Sequence, residues 1–194
     1  MRRPYSASVF TAALMMSSAC TAQETAPVQS TGTPVIAAPE APEEEAQPID
    51  LFALSFLQSH NRARAEVAAQ PLTWSAELAE DAAEYAEVLA GLNRIEHASE
   101  EARGGAGENL WIGTTGYFST TAMMDAFLTE KEIFKPGVFP DVSTTGNWVD
   151  VGHYTQIIWK ETEEVGCAIA ANAQNDVLVC RYLPAGNWRG TPMP

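Results

Sequence analysis

The chain has 194 residues, room for one domain with a single core once a non-globular beginning is set aside. It carries 25 acidic side chains against 11 lysines and arginines, a net charge of −14. That balance argues against nucleic acid or an anionic lipid surface as a partner, because phosphates would be repelled over most of the surface.

Residues 1–20, MRRPYSASVFTAALMMSSAC, combine Arg2 and Arg3 with an apolar run from Val9 to Met16 and small residues at Ser17 to Ala19. This is the layout of an export signal, and the apolar run is too short to span a membrane. Two processing routes stay open. Cys20 after Ala19 resembles a bacterial lipoprotein acylation site, with Ser17 where such sites prefer leucine; alternatively a signal peptidase cuts after Ala19 or Ala22. Residues 21–48 read as a disordered tether: Gln23 to Pro48 holds five prolines and five glutamates with no basic or aromatic residue. The globular domain is expected over residues 49–194, placed at the cell envelope by a lipid anchor or released as a secreted or periplasmic protein. Membrane contact would come only through Cys20.

From Ile49 the pattern is helical, with Leu54, Leu57, Asn61, Arg64 and Ala68 on one stripe that turns polar in its second half, and Pro71 as the stop. Ser75 can cap a second helix that buries Leu78, Ala82, Tyr85, Ala86 and Leu89 before Gly91. A loop over 98–107 leads into GENLWIG. A third helix is expected over 119–134, with Ser119 or a following threonine as cap and Met123, Phe127, Glu130 and Phe134 on one face.

After a loop from Pro136 to Asn147, three strands are expected at 151–160, 164–171 and 176–183, paired antiparallel. Helices first and strands later indicate an α+β fold. Cys167 and Cys180 sit at equal spacing from the turn residues 172–175, which sets them opposite each other. In an exported protein such a pair reads as a disulfide. Alternation along 151–160 puts His153 on the same side as Ile157 and Trp159, which by itself suits a hydrogen-bonded structural histidine.

Four motifs appear in order: H-N-x-x-R at His60, Asn61 and Arg64; G-E-N-L at 107–110; GHYTQIIW at 152–159; and VLVCRYLPAGNW at 177–188. In this the chain resembles the CAP superfamily of cysteine-rich secretory proteins, antigen 5 and plant pathogenesis-related proteins, as a bacterial member. The resemblance implies an α-β-α sandwich around a central antiparallel sheet of three to four strands. It also implies an open cleft in which His97 and His153 can hold a divalent metal, often zinc, with Glu108 and Glu130 as acidic neighbours. Taken singly, Glu108 reads equally as a ligand of backbone amides, Glu130 as a partner of Arg64 or Arg103, and His97 as an exposed helix cap. His60, Asn61 and Arg64 are taken as buried groups joining helix to sheet, with His60 as a third metal ligand the alternative.

Three functions follow. The first is an exported binding module whose cleft takes a divalent metal and a small or lipid-like ligand, or an envelope protein partner. The second is a zinc-dependent hydrolase using Glu108 or Glu130 as base. The third is a structural or interaction protein with a vestigial cleft. The domain lacks H-E-x-x-H, G-x-S-x-G and an unpaired cysteine, which favours binding over catalysis.

The anchor can be tested by fractionation. Full-length protein is expected in the membrane fraction and its Cys20→Ser variant in the soluble one; equal partitioning of the two would remove the lipoprotein reading.

Overall fold

The computed structural model describes residues 50–194; the export signal, Cys20 and the tether lie outside them. The described chain runs α1 (Leu51–Glu66), β1 (Thr73–Trp74), α2 (Ala76–Leu92), β2 (Gly107–Thr114), α3 (Thr120–Leu128), β3 (Gly137–Val138), α4 (Gly152–Ile157), β4 (Glu164–Ala171), β5 (Asn175–Leu183) and β6 (Pro192–Met193). Short 3-10 turns at Thr129–Ile133 and Trp148–Val151 follow α3 and precede α4. No described helix is long and apolar enough to cross a membrane.

The central sheet has the order β1-β4-β5-β2. It is antiparallel except for β1, which pairs parallel with β4, so the four-stranded sheet is mixed. β3 and β6 form a separate two-stranded ribbon. α2 covers one face, where Ala82, Ala86 and Leu89 meet Leu110, Val177 and Val179. The other face carries α1, α3 and α4, with Phe56, Met123, Phe127 and Ile157 packed on Leu178, Cys180 and Tyr182. Hence the fold is the expected α-β-α sandwich. β5 is apolar almost throughout because it is buried on both sides. Gly166 of β4 lies so close to α2 that an added Cβ would sit 2.2 Å from the Ala79 nitrogen, which allows the small alanines of α2 to seat on the sheet.

Local chemistry sets the helix ends. Asp50, Ser75 and Ser119 accept from the amides of Ala53, Leu78 and Ala122 as N-caps. α2 runs through Gly91 and stops at Asn93, which takes the left-handed conformation. The buried face of α1 is Ala53, Phe56, His60, Ala63 and Arg64, which shares Arg64 with the expected Leu54-Leu57-Asn61-Arg64-Ala68 stripe but is otherwise rotated from it. Burial there follows hydrogen bonding as much as hydropathy, since His60 and Arg64 are both fully buried.

Two expected elements differ. The third helix tightens into a 3-10 turn after Leu128, where the Thr129 hydroxyl donates back to the Asp125 carbonyl. The expected strand 151–160 is instead a 3-10 turn leading into α4. Residues Tyr154 to Trp159 are all buried, so this short helix has no polar face and its sequence carries no helical period. Its β-branched residues and accidental alternation imitate a strand.

Cys167 and Cys180 are opposed in the β4–β5 register and joined in a disulfide. A loop of this size is worth about 3 kcal/mol in chain entropy.

The H-N-x-x-R residues tie α1 to the rest. His60 Nδ1 donates to the Phe56 carbonyl, and Nε2 accepts from the Tyr182 hydroxyl, whose oxygen accepts from Asn109. Asn61 pairs with both backbone groups of Leu72. Arg64 donates to the carbonyls of Gln70, Ile157, Trp159 and Thr162. Burial lowers its pKa to about 10, still charged at neutral pH.

Burial also lowers the His60 pKa to about 4, so the folded ring stays neutral where the unfolded one protonates. The unfolded state then binds more protons, and His60 stability is full above about pH 6.5 and lost as pH falls toward 4, by about 3 kcal/mol. Urea melts of wild type and His60→Gln should therefore show a stability gap that narrows over that window; a gap constant with pH would contradict this.

Candidate functional site

The described domain carries an open cleft of about 490 Å³. Its walls come from the 97–109 segment, from the start of α4 at Gly152 and His153, and from the 185–188 loop. His97 and His153 both line it, contributed by segments far apart in sequence.

His97 precedes β2 in an irregular stretch, and its Nδ1 lies 2.6 Å from Glu108 Oε1. The same oxygen accepts from the Ala98 amide. Glu108 Oε2 pairs with Arg181 Nη1, the residue opposite it in the β2–β5 register. Both of these side chains are essentially buried, whereas the His97 side chain is 60% exposed. Arg181 is held in turn by Asp81 of α2, 2.8 Å from Nε as a charge contact off the hydrogen-bond line, and lies 5.0 Å from the centre of the Tyr85 ring.

His153 is braced by a second carboxylate. Its Nδ1 lies 2.5 Å from Glu130 Oε1, while Glu130 Oε2 accepts from the amides of His153 and Tyr154. Those amides are orphan donors at the start of α4, and a carboxylate there suits the helix N-terminus. The 3-10 turn is what carries Glu130 across to α4. The imidazole of His153 also stacks on Phe127, with centroids 4.6 Å apart.

An ionised carboxylate only accepts, so each Nδ1 must donate, and in the neutral ring each Nε2 then keeps its lone pair. Neither Nε2 has a hydrogen-bond partner among the described residues. The arrangement is two carboxylate–imidazole pairs on one cleft, each with a free basic nitrogen. It differs from one merged polar cluster, because no three of the four groups bring ligand atoms within 4.8 Å of one another. Glu130 pairs with neither Arg64 nor Arg103.

One His/Cys group is that compact: His60 with Cys167 and Cys180. Its sulfurs are joined to each other and both nitrogens of His60 are engaged, so it offers no ligand lone pair while the disulfide holds.

Sequence reasoning missed Arg181, whose signal was a lone charge inside an apolar strand. It also missed Asn187, which accepts from the Thr155 hydroxyl and donates to the Gly152 carbonyl, steadying the start of α4.

Removing Arg181 would leave the Glu108 charge buried without its cation. Arg181→Met should therefore cost about 3–5 kcal/mol in urea unfolding, and adding Glu108→Leu should recover part of it. A single variant within about 1 kcal/mol of wild type would show the pair to be unimportant.

Comparison with known proteins identifies the family. The family profile of CAP, the cysteine-rich secretory protein family, matches residues 57–182. Pathogenesis-related protein 1A of Nicotiana tabacum is 35% identical over 136 residues, 70% of this chain and 76% of that protein. Pathogenesis-related protein 1 of Arabidopsis thaliana is 34% identical over 134 residues, 69% of this chain and 76% of that one. Among solved structures, NaASP2 with Zn2+ superposes with a TM-score of 0.60 at 23% identity, covering 75% of this chain and 86% of that chain. Venom allergen-like protein 4 of Schistosoma mansoni gives 0.58 at 19%, covering 75% and 97%. At such identities these two speak to the fold alone. With the profile spanning more than half of its length and plant relatives above 30% identity, the chain belongs to the CAP family.

Proposed function

We propose that the domain is an exported binding module of a bacterial cell envelope, whose cleft holds a divalent metal between His97 and His153 and takes a small or lipid-like ligand beside it. The observation that carries this reading is the pair of imidazoles, both lining one cleft, whose Nδ1 atoms are fixed on Glu108 and Glu130 while neither Nε2 has a hydrogen-bond partner among the described residues. A ligating histidine characteristically donates its other nitrogen to a carboxylate, which fixes the ring and raises its basicity. Two neutral imidazoles suit zinc, and two ligands leave positions for water or a ligand oxygen. NaASP2, a protein of the same fold, has been solved with Zn2+. A bound zinc would supply Lewis acidity toward a ligand oxygen.

Export is supported by the disulfide, which persists in oxidising compartments. Binding is favoured over hydrolysis because each carboxylate already takes three donors: His97, Ala98 and Arg181 on Glu108, and His153 twice with Tyr154 on Glu130. A base so occupied has little capacity left to accept a proton from water.

Calorimetric titration of zinc into the protein at neutral pH tests the proposal. One zinc per chain is expected, with His97→Ala and His153→Ala each abolishing high-affinity uptake and Glu108→Gln weakening it by about 10–100-fold. His60→Gln should leave the stoichiometry unchanged. A folded wild-type protein that takes up no zinc would remove the metal from the proposal.

A further inference from the structure

The cleft holds one more group that neither the fold nor the histidine pairs use. Arg103 lines the same cavity as His97 and His153. It is half-buried, and its Nε is fully shielded from solvent without a hydrogen-bond partner. Its side chain makes no hydrogen bond or ion pair with any described residue. This is unexpected in a chain with 25 acidic side chains against 11 lysines and arginines, where a partner carboxylate is seldom far away. Glu100, the nearest acidic residue in sequence to line the cleft, forms no ion pair with it.

The placement of Arg103 is built. It sits in a tight turn where its amide donates to the Ser99 carbonyl, the Ala102 amide donates to the Ser99 hydroxyl, and the Gly105 amide donates to the Glu100 carbonyl. Gly104 and Gly105 follow with φ of +59° and +79°, a left-handed pair that returns the chain into β2. The Ala106 amide then closes onto the Arg103 carbonyl at 2.9 Å. The turn therefore fixes the Arg103 backbone directly beside the strand that carries Glu108.

A partly desolvated guanidinium without a partner is a costly arrangement, and its planar fork matches a two-oxygen acceptor. Apolar surface lies at the same cleft: Trp188 and Val149 are 57% and 59% exposed, with Trp148 half-buried beside them. We propose that Arg103 is the anion-recognition residue of the cleft, and that the ligand is a small molecule bearing a carboxylate or phosphate that pairs with Arg103 while its apolar part lies on Trp188 and Val149. This rests on the cleft being a ligand site, as proposed above, and is independent of whether zinc occupies it.

The test is a titration of chelator-treated, metal-free protein in mildly alkaline buffer. Inorganic phosphate and acetate are the two probes, read by calorimetry and by the tryptophan fluorescence of the cleft rim. At least one anion should bind, and which of them binds tighter names the source of the oxyanion. Arg103→Gln should weaken that binding at least tenfold, and Arg103→Lys, which keeps the charge without the fork, by a smaller factor. Because the titration uses metal-free protein, its failure is separate from a failure of zinc uptake. The inference is overturned if neither anion binds the wild-type protein at millimolar concentration. It is overturned equally if Arg103→Gln, with an unchanged far-UV spectrum, binds both anions as tightly as wild type.

Discussion

The buried pairing of Glu108 with Arg181 is the constraint from which the site follows. It links two adjacent strands at a register position where both side chains point toward α2, and Asp81 and Tyr85 of that helix complete the neutralisation and shielding of Arg181. Burying two charges is offset only when every remaining donor and acceptor is satisfied. The second oxygen of Glu108 meets that demand with the Ala98 amide and the His97 imidazole. A group that anchors sheet to helix thus also aims an exposed histidine into a cleft.

The second brace solves a different problem with the same chemistry. α4 is too short to be stable on its own, and its first amides need acceptors. Glu130 supplies them from the 3-10 turn after α3 and has one oxygen left for His153. Arg64 holds the far end of the same segment through the carbonyls of Ile157 and Trp159. His153 is therefore positioned by a helix clamped at both ends, and its stacking on Phe127 limits rotation of the ring.

Much of the architecture was legible because hydropathy and turn chemistry speak directly about it. The capping serines at 75 and 119, the alanine face of α2 and the strand at 164–171 all follow from local pattern, and the disulfide follows from symmetry about the turn. The segment GHYTQIIWK was not legible as a helix because Tyr154 to Trp159 are all buried and its helical state depends on Glu130 and Arg64, distant in sequence. The rotation of α1 was hidden for a related reason: His60, off the expected stripe, is buried through hydrogen bonds that a hydropathy stripe scores as exposure. Motif order picked out His97, Glu108, Glu130 and His153, yet spacing carries no information on which carboxylate serves which imidazole. Arg103 was even less legible, since an arginine in a glycine-rich loop looks like any solvated charge until the cleft beside it is seen.

The account stands on the tautomers of two rings: Nδ1 protonated toward a carboxylate and Nε2 free in the cleft, for His97 and His153 alike. Long-range proton–nitrogen correlation spectra of metal-free protein, in mildly alkaline buffer, read this directly. The account predicts the Nδ1–H form for both residues, and for His60 as well, the latter unaffected when zinc is added. An Nε2–H form at His97 or His153 would mean that the carboxylates do not hold the rings as described, and would contradict the cleft as a prepared metal and ligand site.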